Sequence, residues 1–314
     1  MVTKDKQNRE ADVVSRYSKK RSASEAATTF SLVKKTYPDA VELTGTPPGT
    51  RGMLLLVACF FVFIAAISAN QIAENVLVHE MRRVSHIITS IGYLAFIVLS
   101  IYLTAFCVRL ELFKPEDEPI IFDRKNRKIY RLFMDSDSSW KGILRPWPVR
   151  VAEHDWDLAE AEHHVSVNAN TATISRVHAL IFQMRKSRAS AEIVDGFAVG
   201  SSLQLGELTV PAVWEYIRRF MEENGDHLPN SESVIEMKKP ASLLDSILAV
   251  GLYGENFRKW WRSERALTIL ALIFSPILYP VLTLLGLFVW LGYKTSKPIV
   301  WPEEIKRKIG NPLQ

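Results

Sequence analysis

The chain has few of the features that assign a sequence to a familiar class of soluble protein. It holds two cysteines in 314 residues, Cys59 and Cys107, and this number excludes a multi-bridge disulfide framework. Both cysteines lie inside long apolar stretches, where a free cysteine usually packs as a small apolar side chain. We therefore expect no covalent cross-links to hold the fold together.

Recognisable catalytic motifs are also lacking. The sequence has no G-x-S-x-G elbow, no Walker loop, no H-E-x-x-H zinc motif and no C-x-x-C pair. Carboxylates and imidazoles are grouped in residues 154–164, but their spacing matches no defined metal site, and a solvated loop is the favoured interpretation. We therefore predict a non-enzymatic protein with no cofactor, no metal and no nucleic-acid partner.

Charge is missing from three long runs, and this absence says most about the chain. Gly52–Ala73 has no charged residue in 22 positions, Ala266–Tyr293 has none in 28, and Ser85–Val108 has only His86 in 24. A bilayer core about 30 Å thick is crossed by ~20 apolar residues in a helix. The runs predict an integral membrane protein whose residues 51–109 form a transmembrane helical hairpin.

The basic residues around these runs predict the orientation of the chain. Residues 1–51 carry 10 Lys or Arg against 6 Asp or Glu, and seven more cations lie between Arg109 and Arg131. By the positive-inside rule these segments face the cytoplasm, and the short loop between the first two runs faces outward. We expect residues 1–50 to form a flexible cytoplasmic arm.

From residue 114 to residue 228 the pattern is that of a β-rich domain. Pro119–Asp123 and Lys128–Met134 flank a polar turn, as the strands of a β-hairpin do. Shorter candidate strands follow, and Thr209–Glu223 has the spacing of one amphipathic helix. Short strands closed by a single helix are typical of a pleckstrin-homology-like barrel, and a generic α+β domain fits almost as well. The predicted fold class is therefore an α+β membrane protein.

The turn of this hairpin groups four cations, Arg124, Lys125, Arg127 and Lys128. In pleckstrin-homology barrels the loop after the first strand often receives lipid phosphates, and four cations supply the donors and the charge for such a contact. The alternative is a solvated hairpin tip whose charge protects a sheet edge. These four residues are the candidate lipid or partner contacts, and we call them the basic turn.

Residues 229–265 are predicted to form a linker and interfacial helices. Trp260 and Trp261 stand among cations immediately before the third apolar run, as expected for anchors at a membrane interface, and Trp290 is a further candidate anchor. Residues 294–314 are predicted to be a basic cytoplasmic tail.

The third run has basic clusters on both sides, which a straight span does not reconcile with the positive-inside rule. Pro276 and Pro280 lie near its middle. Residues 266–293 therefore form either a re-entrant hairpin that returns to the cytoplasm or a kinked, tilted span. Both alternatives stay open, and a re-entrant backbone requires cover from the first hairpin.

Three motifs resemble those of a known family. Pro119–Tyr130 is similar to its P-hydrophobic-x-F-x-R-x-x-R-x-hydrophobic-Y signature, Trp214–Gly225 to its W-x-Y-I-R signature, and Lys297–Ile305 to its P-x-W-P-x-E-I ending. Asp226 stands where the family tends to have proline. The family is an uncharacterised group of proteobacterial inner-membrane proteins, a domain of unknown function often encoded near type VI secretion and polymorphic-toxin genes.

The residues predict a non-enzymatic membrane protein that contacts lipid and binds a protein partner. The resemblance implies a bacterial inner membrane location and a secreted toxin or a secretion component as that partner. The favoured expectation is an immunity or accessory factor of a type VI secretion toxin system that sequesters the toxin. Two alternatives remain: a membrane-anchored lipid-binding or envelope-stress sensor, and a structural or loading adaptor of the secretion apparatus.

Overall fold

The computed structural model describes most of the chain. The described residues are 13–45, 51–78, 84–137, 147–169, 174–200, 205–229, 232–236, 239–250 and 255–313, with Ser139, Lys141, Gly142 and Arg145.

The chain combines nine β-strands with eight α-helices in its described residues. The strands are β1 Val13–Tyr17, β2 Val33–Thr36, β3 Ala40–Leu43, β4 Ile120–Asp123, β5 Lys128–Met134, β6 Val149–Asp155, β7 Ala159–Ala169, β8 Ile174–Arg185 and β9 Ile193–Val199. The helices are α1 Met53–Leu77, α2 Val84–Leu112, α3 Thr209–Glu222, α4 Leu243–Val250, α5 Glu255–Ser263, α6 Arg265–Ile273, α7 Ser275–Thr295 and α8 Glu303–Ile309. The mixed α+β class is confirmed.

The strands form two antiparallel sheets. One has the order β1-β7-β8-β9, and the other has the order β2-β3-β4-β5-β6. The predicted β-hairpin is confirmed as β4 and β5, which pair from Ile120 opposite Arg131 to Asp123 opposite Lys128. The sheet contacts join segments far apart in sequence, since β3 pairs with β4 across the whole of α1 and α2.

An aromatic core fills the space between the two sheets and α3. Trp156 is fully buried, stacks on Trp214 of α3 at 5.9 Å between ring centroids, and meets Phe122 of β4 edge-on. Phe182 of β8 lies 5.5 Å from Phe122. The apolar spacing in α3 therefore has the predicted effect, because the helix closes the core of the β domain.

The predicted flexible arm is wrong for most of its length. Residues 13–45 supply strands β1, β2 and β3, and Leu32, Val33, Val41 and Leu43 are completely buried in the core. Residues 1–12 and 46–50 of the predicted arm lie outside the described residues. The polar composition of this segment predicts a flexible arm because its strands are short and β3 pairs with residues more than seventy positions away.

The predicted polar face of α3, which holds Arg218, Arg219, Glu222 and Glu223, is covered in part. Arg218 and the neighbouring Glu215 are buried, because residues 19–25 of the N-terminal segment pack along that face, whereas Glu222 and Glu223 stay exposed. The backbone N–H of Ala23 donates to the Glu215 carboxylate at 3.1 Å. The helical wheel marks this face as solvent-exposed only because the covering segment is remote in sequence.

The predicted basic tail contains a packed helix. Glu303–Ile309 form α8, and Trp301, Ile305 and Ile309 pack on Tyr130 and Leu132 at the outer face of the five-stranded sheet. The cations of α8 lie on the opposite side of a short amphipathic helix, which is why composition alone suggests a solvated tail. The β domain is thus assembled from three separate parts of the chain.

Three helices are long and apolar enough to cross a membrane: α1, α2 and α7, with mean hydropathy of 2.5, 2.2 and 1.7 in their most apolar windows. Helices α1 and α2 pack against each other as an antiparallel hairpin through small residues, among them Ala58 and Ser90. The Asn75 amide donates to the Ser90 hydroxyl at 3.1 Å. The hairpin is therefore an insertion between two neighbouring strands of the β domain.

The third apolar run is divided into two helices. Helix α6 ends at Ile273, Phe274 separates it from α7, and Pro276 lies in the first turn of α7, where proline needs no hydrogen-bond partner. The segments on either side of these helices both contact the linker that follows α2: Lys239 forms an ion pair with Glu116 at 2.5 Å, and Lys297 pairs with Pro115. The chain therefore leaves the β domain before these helices and returns to it after them, in a second apolar excursion.

Candidate functional site

The basic turn, where sequence places the candidate lipid contacts, is largely neutralised by the domain itself. Arg124 donates to Asp39 at 3.2 Å and to the backbone carbonyl of Gly225. Lys128 forms ion pairs with Asp155 at 2.7 Å and Glu153 at 3.2 Å, and these contacts raise its pKa.

Arg127 is held by a network around Trp156. Its guanidinium binds Glu222 and Asp157, and these hydrogen bonds raise the pKa of Arg127. Lys19 donates to the Trp156 carbonyl and lies over the indole ring at 4.7 Å. Burial lowers the pKa of Lys19 to about 8. Only Lys125 is exposed in the turn, so a phosphate would have to compete with built-in carboxylates for the other three cations.

The predicted interfacial anchors have different surroundings. Trp260 and Trp261 lie on α5 with 43% and 42% of their surface exposed. Trp290 lies in α7, where the Lys294 ammonium is 4.5 Å from its ring centroid. The tryptophans of α5 are therefore open to an external contact, whereas Trp290 already has a cation on its face.

The histidines and carboxylates of residues 154–164 do not converge on one point. His154 pairs with Asp195 at 2.9 Å, while His164 pairs with Glu162 and His163 with His178. Among the described residues, no group of three or more such side chains has the arrangement that could hold a metal ion. The segment is also ordered as β6, a short 3₁₀ turn and β7, and the predicted loop is wrong.

A buried carboxylate, Asp117, organises the point where the first apolar hairpin joins the β domain. Its Oδ1 accepts hydrogen bonds from the Thr44 hydroxyl at 3.1 Å and the Gly45 backbone at 3.0 Å. Its Oδ2 pairs with Lys34 at 3.2 Å. One side chain thus ties the strand that enters the hairpin to the segment that leaves it. The Gly45 position needs glycine, because an added Cβ would collide with the backbone of Glu118.

A second polar contact lies at the same end of the three apolar helices. The Glu111 carboxylate of α2 accepts from the backbone N–H of Gly52 at 2.8 Å, at the N-terminus of α1, where negative charge is favourable. Arg51 donates to the Gly292 carbonyl of α7 at 3.0 Å and also to the carbonyl of Pro115. These contacts fix the bases of α1, α2 and α7 to the β domain.

Substituting Asp117 with alanine should loosen this junction. The change leaves Lys34 without its closest carboxylate and removes the acceptor of three hydrogen bonds, so we expect a loss of about 2–4 kcal/mol. Thermal unfolding of the full chain in detergent should show a midpoint about 5–10 °C lower. The matched change Asp245→Ala, at the start of α4, should shift it by much less, and equal shifts would contradict the role of Asp117.

The most unusual exposed feature is a turn at Phe30 and Ser31. Both residues have left-handed backbone angles, φ 49° and 54°, and the Leu32 N–H donates to the Thr29 carbonyl at 3.0 Å. This geometry is that of a type I′ turn, which favours Asn-Gly and costs roughly 1 kcal/mol or more for each larger side chain. Phe30 is 41% exposed.

The strained turn is held in place by a remote carboxylate. Glu232 accepts from the Thr28 hydroxyl at 2.6 Å and from the Thr29 backbone at 2.9 Å. Strain that the surrounding structure maintains is often found at functional sites. Sequence reasoning missed this feature, because Thr28–Leu32 contains no glycine, proline or asparagine to signal a turn.

Comparison with known proteins adds one result. The model of a family of unknown function, DUF6708, matches residues 97–310, which are 214 of the 314 residues. The chain belongs to this family. No curated protein matches the chain, and no solved structure matches it.

The DUF6708 match begins inside α2 and ends at α8. It includes β4 to β9, α3 and α7, but not β1 to β3, α1 or the Phe30 turn. The expectation that the chain belongs to a family of unknown function is thus confirmed. The matched DUF6708 region is not a complete fold in this chain, because its β4 strand pairs with β3.

Proposed function

We propose that this chain is a non-enzymatic, membrane-anchored binding protein whose β domain captures a protein partner at the Phe30 turn. The observation that carries the proposal is the exposed aromatic side chain on a strained, supported turn. Aromatic residues dominate the energetic hot spots of protein interfaces. The ionisable residues that the sequence suggested as candidate sites form ion pairs with other residues of the domain. This favours binding over catalysis.

We further propose a pleckstrin-homology-like architecture on the cytoplasmic side of a bacterial inner membrane. Two antiparallel sheets followed by α3 against their common core support that architecture. The three apolar helices support membrane anchoring, and the excess of cations near their shared base supports a cytoplasmic β domain. The anchoring helices enter and leave the domain beside each other, so the Phe30 turn is presented in a fixed orientation.

The partner we propose is a toxin of a type VI secretion system, with this chain as its immunity or accessory factor. The three motifs that resemble a family encoded near such systems support this choice. Binding at the membrane surface would occlude the toxin and keep it from its target. A secretion-apparatus component as the partner would instead favour the adaptor function.

Phe30→Gly should weaken partner binding while it stabilises the fold. Glycine adopts the left-handed turn without the Cβ penalty, so the unfolding free energy should rise by about 0.5–1 kcal/mol. Loss of an aromatic hot spot should weaken binding by about 30-fold. The measurement compares proteins that co-purify with tagged full-length chain from detergent extracts of its own host, together with the melting temperature of each variant.

Leu208→Ala serves as the matched control, because Leu208 is another large apolar side chain, 85% exposed, at a position with ordinary backbone angles at the start of α3. A single toxin that is retained by the Leu208 variant and lost by the Phe30 variant would support the proposal. The proposal fails if Phe30→Gly leaves every stoichiometric partner in place, or if it lowers the melting temperature.

A further inference from the structure

We infer that α5 is a binding site for anionic phospholipid headgroups. The site consists of Arg258, Lys259 and Arg262 on one face, with Trp260 and Trp261 on the other. The inference rests on the membrane anchoring proposed above, but it concerns a different surface from the Phe30 turn.

The sequence of α5 separates its side chains into two faces. Phe257, Trp260 and Trp261 have the i, i+3, i+4 spacing that places them together, and Phe257 stacks on Trp261 at 5.9 Å. The cations at 258, 259 and 262 project from the opposite side of the same nine-residue helix. A cationic face opposite an aromatic face is the arrangement of helices that lie in the plane of a membrane interface.

The cations of α5 have no counter-ions among the residues whose side chains the structure describes. Arg258, Lys259 and Arg262 are exposed, and no ion pair or hydrogen bond joins their side chains to any residue of that set, which leaves out positions 251–256. Arg258 and Arg262 are four residues apart, where like charges destabilise an isolated helix. This contrasts with the basic turn, in which Arg124, Arg127 and Lys128 are all engaged by carboxylates.

A phospholipid can contact both faces of α5, because its phosphate binds the cations and its apolar part accommodates the tryptophans. A soluble anion contacts the cationic face only. Helix α5 continues through Glu264 into α6 and then α7, so it is joined directly to apolar segments. Tryptophan favours the headgroup level of a bilayer, and arginine binds phosphate oxygens through paired donors. A soluble phosphate would leave the two indoles in water. Each cation at an anionic surface contributes roughly a fivefold preference.

The test measures quenching of tryptophan fluorescence in the full chain reconstituted into phosphatidylcholine vesicles. A minor fraction of the lipid is either brominated phosphatidylglycerol or brominated phosphatidylcholine, and bromine quenches indoles that it contacts. The double variant Trp260→Phe, Trp261→Phe identifies the part of the fluorescence that comes from these two indoles. We expect brominated phosphatidylglycerol to quench that part at least twofold more than brominated phosphatidylcholine does. Arg258→Gln, Lys259→Gln and Arg262→Gln together should abolish this excess.

The control variant neutralises three other exposed cations, Lys20, Arg21 and Lys125, and should keep the excess. Glycerol phosphate at matched ionic strength should leave the excess unchanged, and abolition by it would identify a soluble phosphate as the ligand and overturn the inference. Equal quenching by the two brominated lipids, or an excess retained by the triple glutamine variant, would also overturn it. Failure of the chain to enter vesicles at all would instead refute the membrane anchoring.

Discussion

A version of this chain without its apolar helices should fold as a water-soluble β domain, whereas residues 114–228 alone should not. The first variant replaces residues 46–116 with a short Gly/Ser turn and residues 237–298 with a linker of about ten Gly/Ser residues. Both replacements join chain segments that lie close together, since Gly45 contacts Asp117, and Lys239 and Lys297 both contact Glu116.

The excised fragment should fail because it lacks strands β1 to β3 and α8. Removing Leu32, Val33, Val41 and Leu43 takes four fully buried side chains from the core and leaves β4 without its neighbour. Each such loss costs ~1–5 kcal/mol, so the four together cost ~4–20 kcal/mol, which is comparable to the 5–15 kcal/mol that stabilises a typical domain.

Circular dichroism and thermal melting of both proteins check this expectation. The linked variant should melt cooperatively, and the same variant without residues 1–45 should behave like the fragment. Cooperative unfolding of residues 114–228 by themselves would show that the N-terminal strands are dispensable and would contradict the three-part assembly of the domain.

Glu215→Gln should remove one of the strongest single contributions to the stability of the β domain. Glu215 is completely buried and accepts hydrogen bonds from Arg218 at 2.7 Å and Arg219 at 2.6 Å. Arg218 is itself buried, so the neutral amide leaves a buried cation without its main partner. Removing one member of a buried ion pair costs about 3–5 kcal/mol.

The same group predicts acid sensitivity. Burial raises the pKa of Glu215, but the hydrogen bonds from Arg218 and Arg219 outweigh it and lower the pKa to about 2. Because the folded-state pKa is below the unfolded value of about 4.5, the ionised carboxylate stabilises the fold above pH ~4.5. That contribution, of order 2–3 kcal/mol, is lost as the pH falls from about 4.5 to about 2.

Chemical denaturation of the full chain in detergent, measured between pH 2 and 7, checks both effects. The Glu215→Gln variant should be less stable at neutral pH and should lose less stability on acidification. Glu223→Gln is the matched control, since Glu223 also pairs with Arg218 but is 53% exposed, and should cost less than about 1 kcal/mol. Equal effects of the two substitutions would disprove the special role of Glu215.

Local patterns predicted several elements well. The β4–β5 hairpin and α3 were recognisable because each is specified by residues close in sequence: alternation around a polar turn, and one apolar face of 3.6-residue period. The first two apolar runs predicted α1 and α2 for the same reason, since uninterrupted apolar length is a local property.

The candidate sites were harder to predict, because charge in a sequence does not show its neighbours. The basic turn and α5 look alike as clusters of cations. The turn meets Asp155, Asp157 and Glu222 from elsewhere in the chain, while the cations of α5 meet none within the described residues. The Phe30 turn had no signal, because its backbone is imposed by Glu232, two hundred positions away.

By itself, the sequence determined that three stretches are apolar enough to cross a bilayer and that short strands and one amphipathic helix lie between them. Both follow from periodicity and length, which depend on neighbouring residues only. The tertiary structure alone decided that the N-terminal strands and α8 complete one β domain around two apolar excursions. Pairing of β3 with β4 and packing of Trp301 on Tyr130 are long-range contacts, and no local pattern records which distant segment will cover an apolar surface.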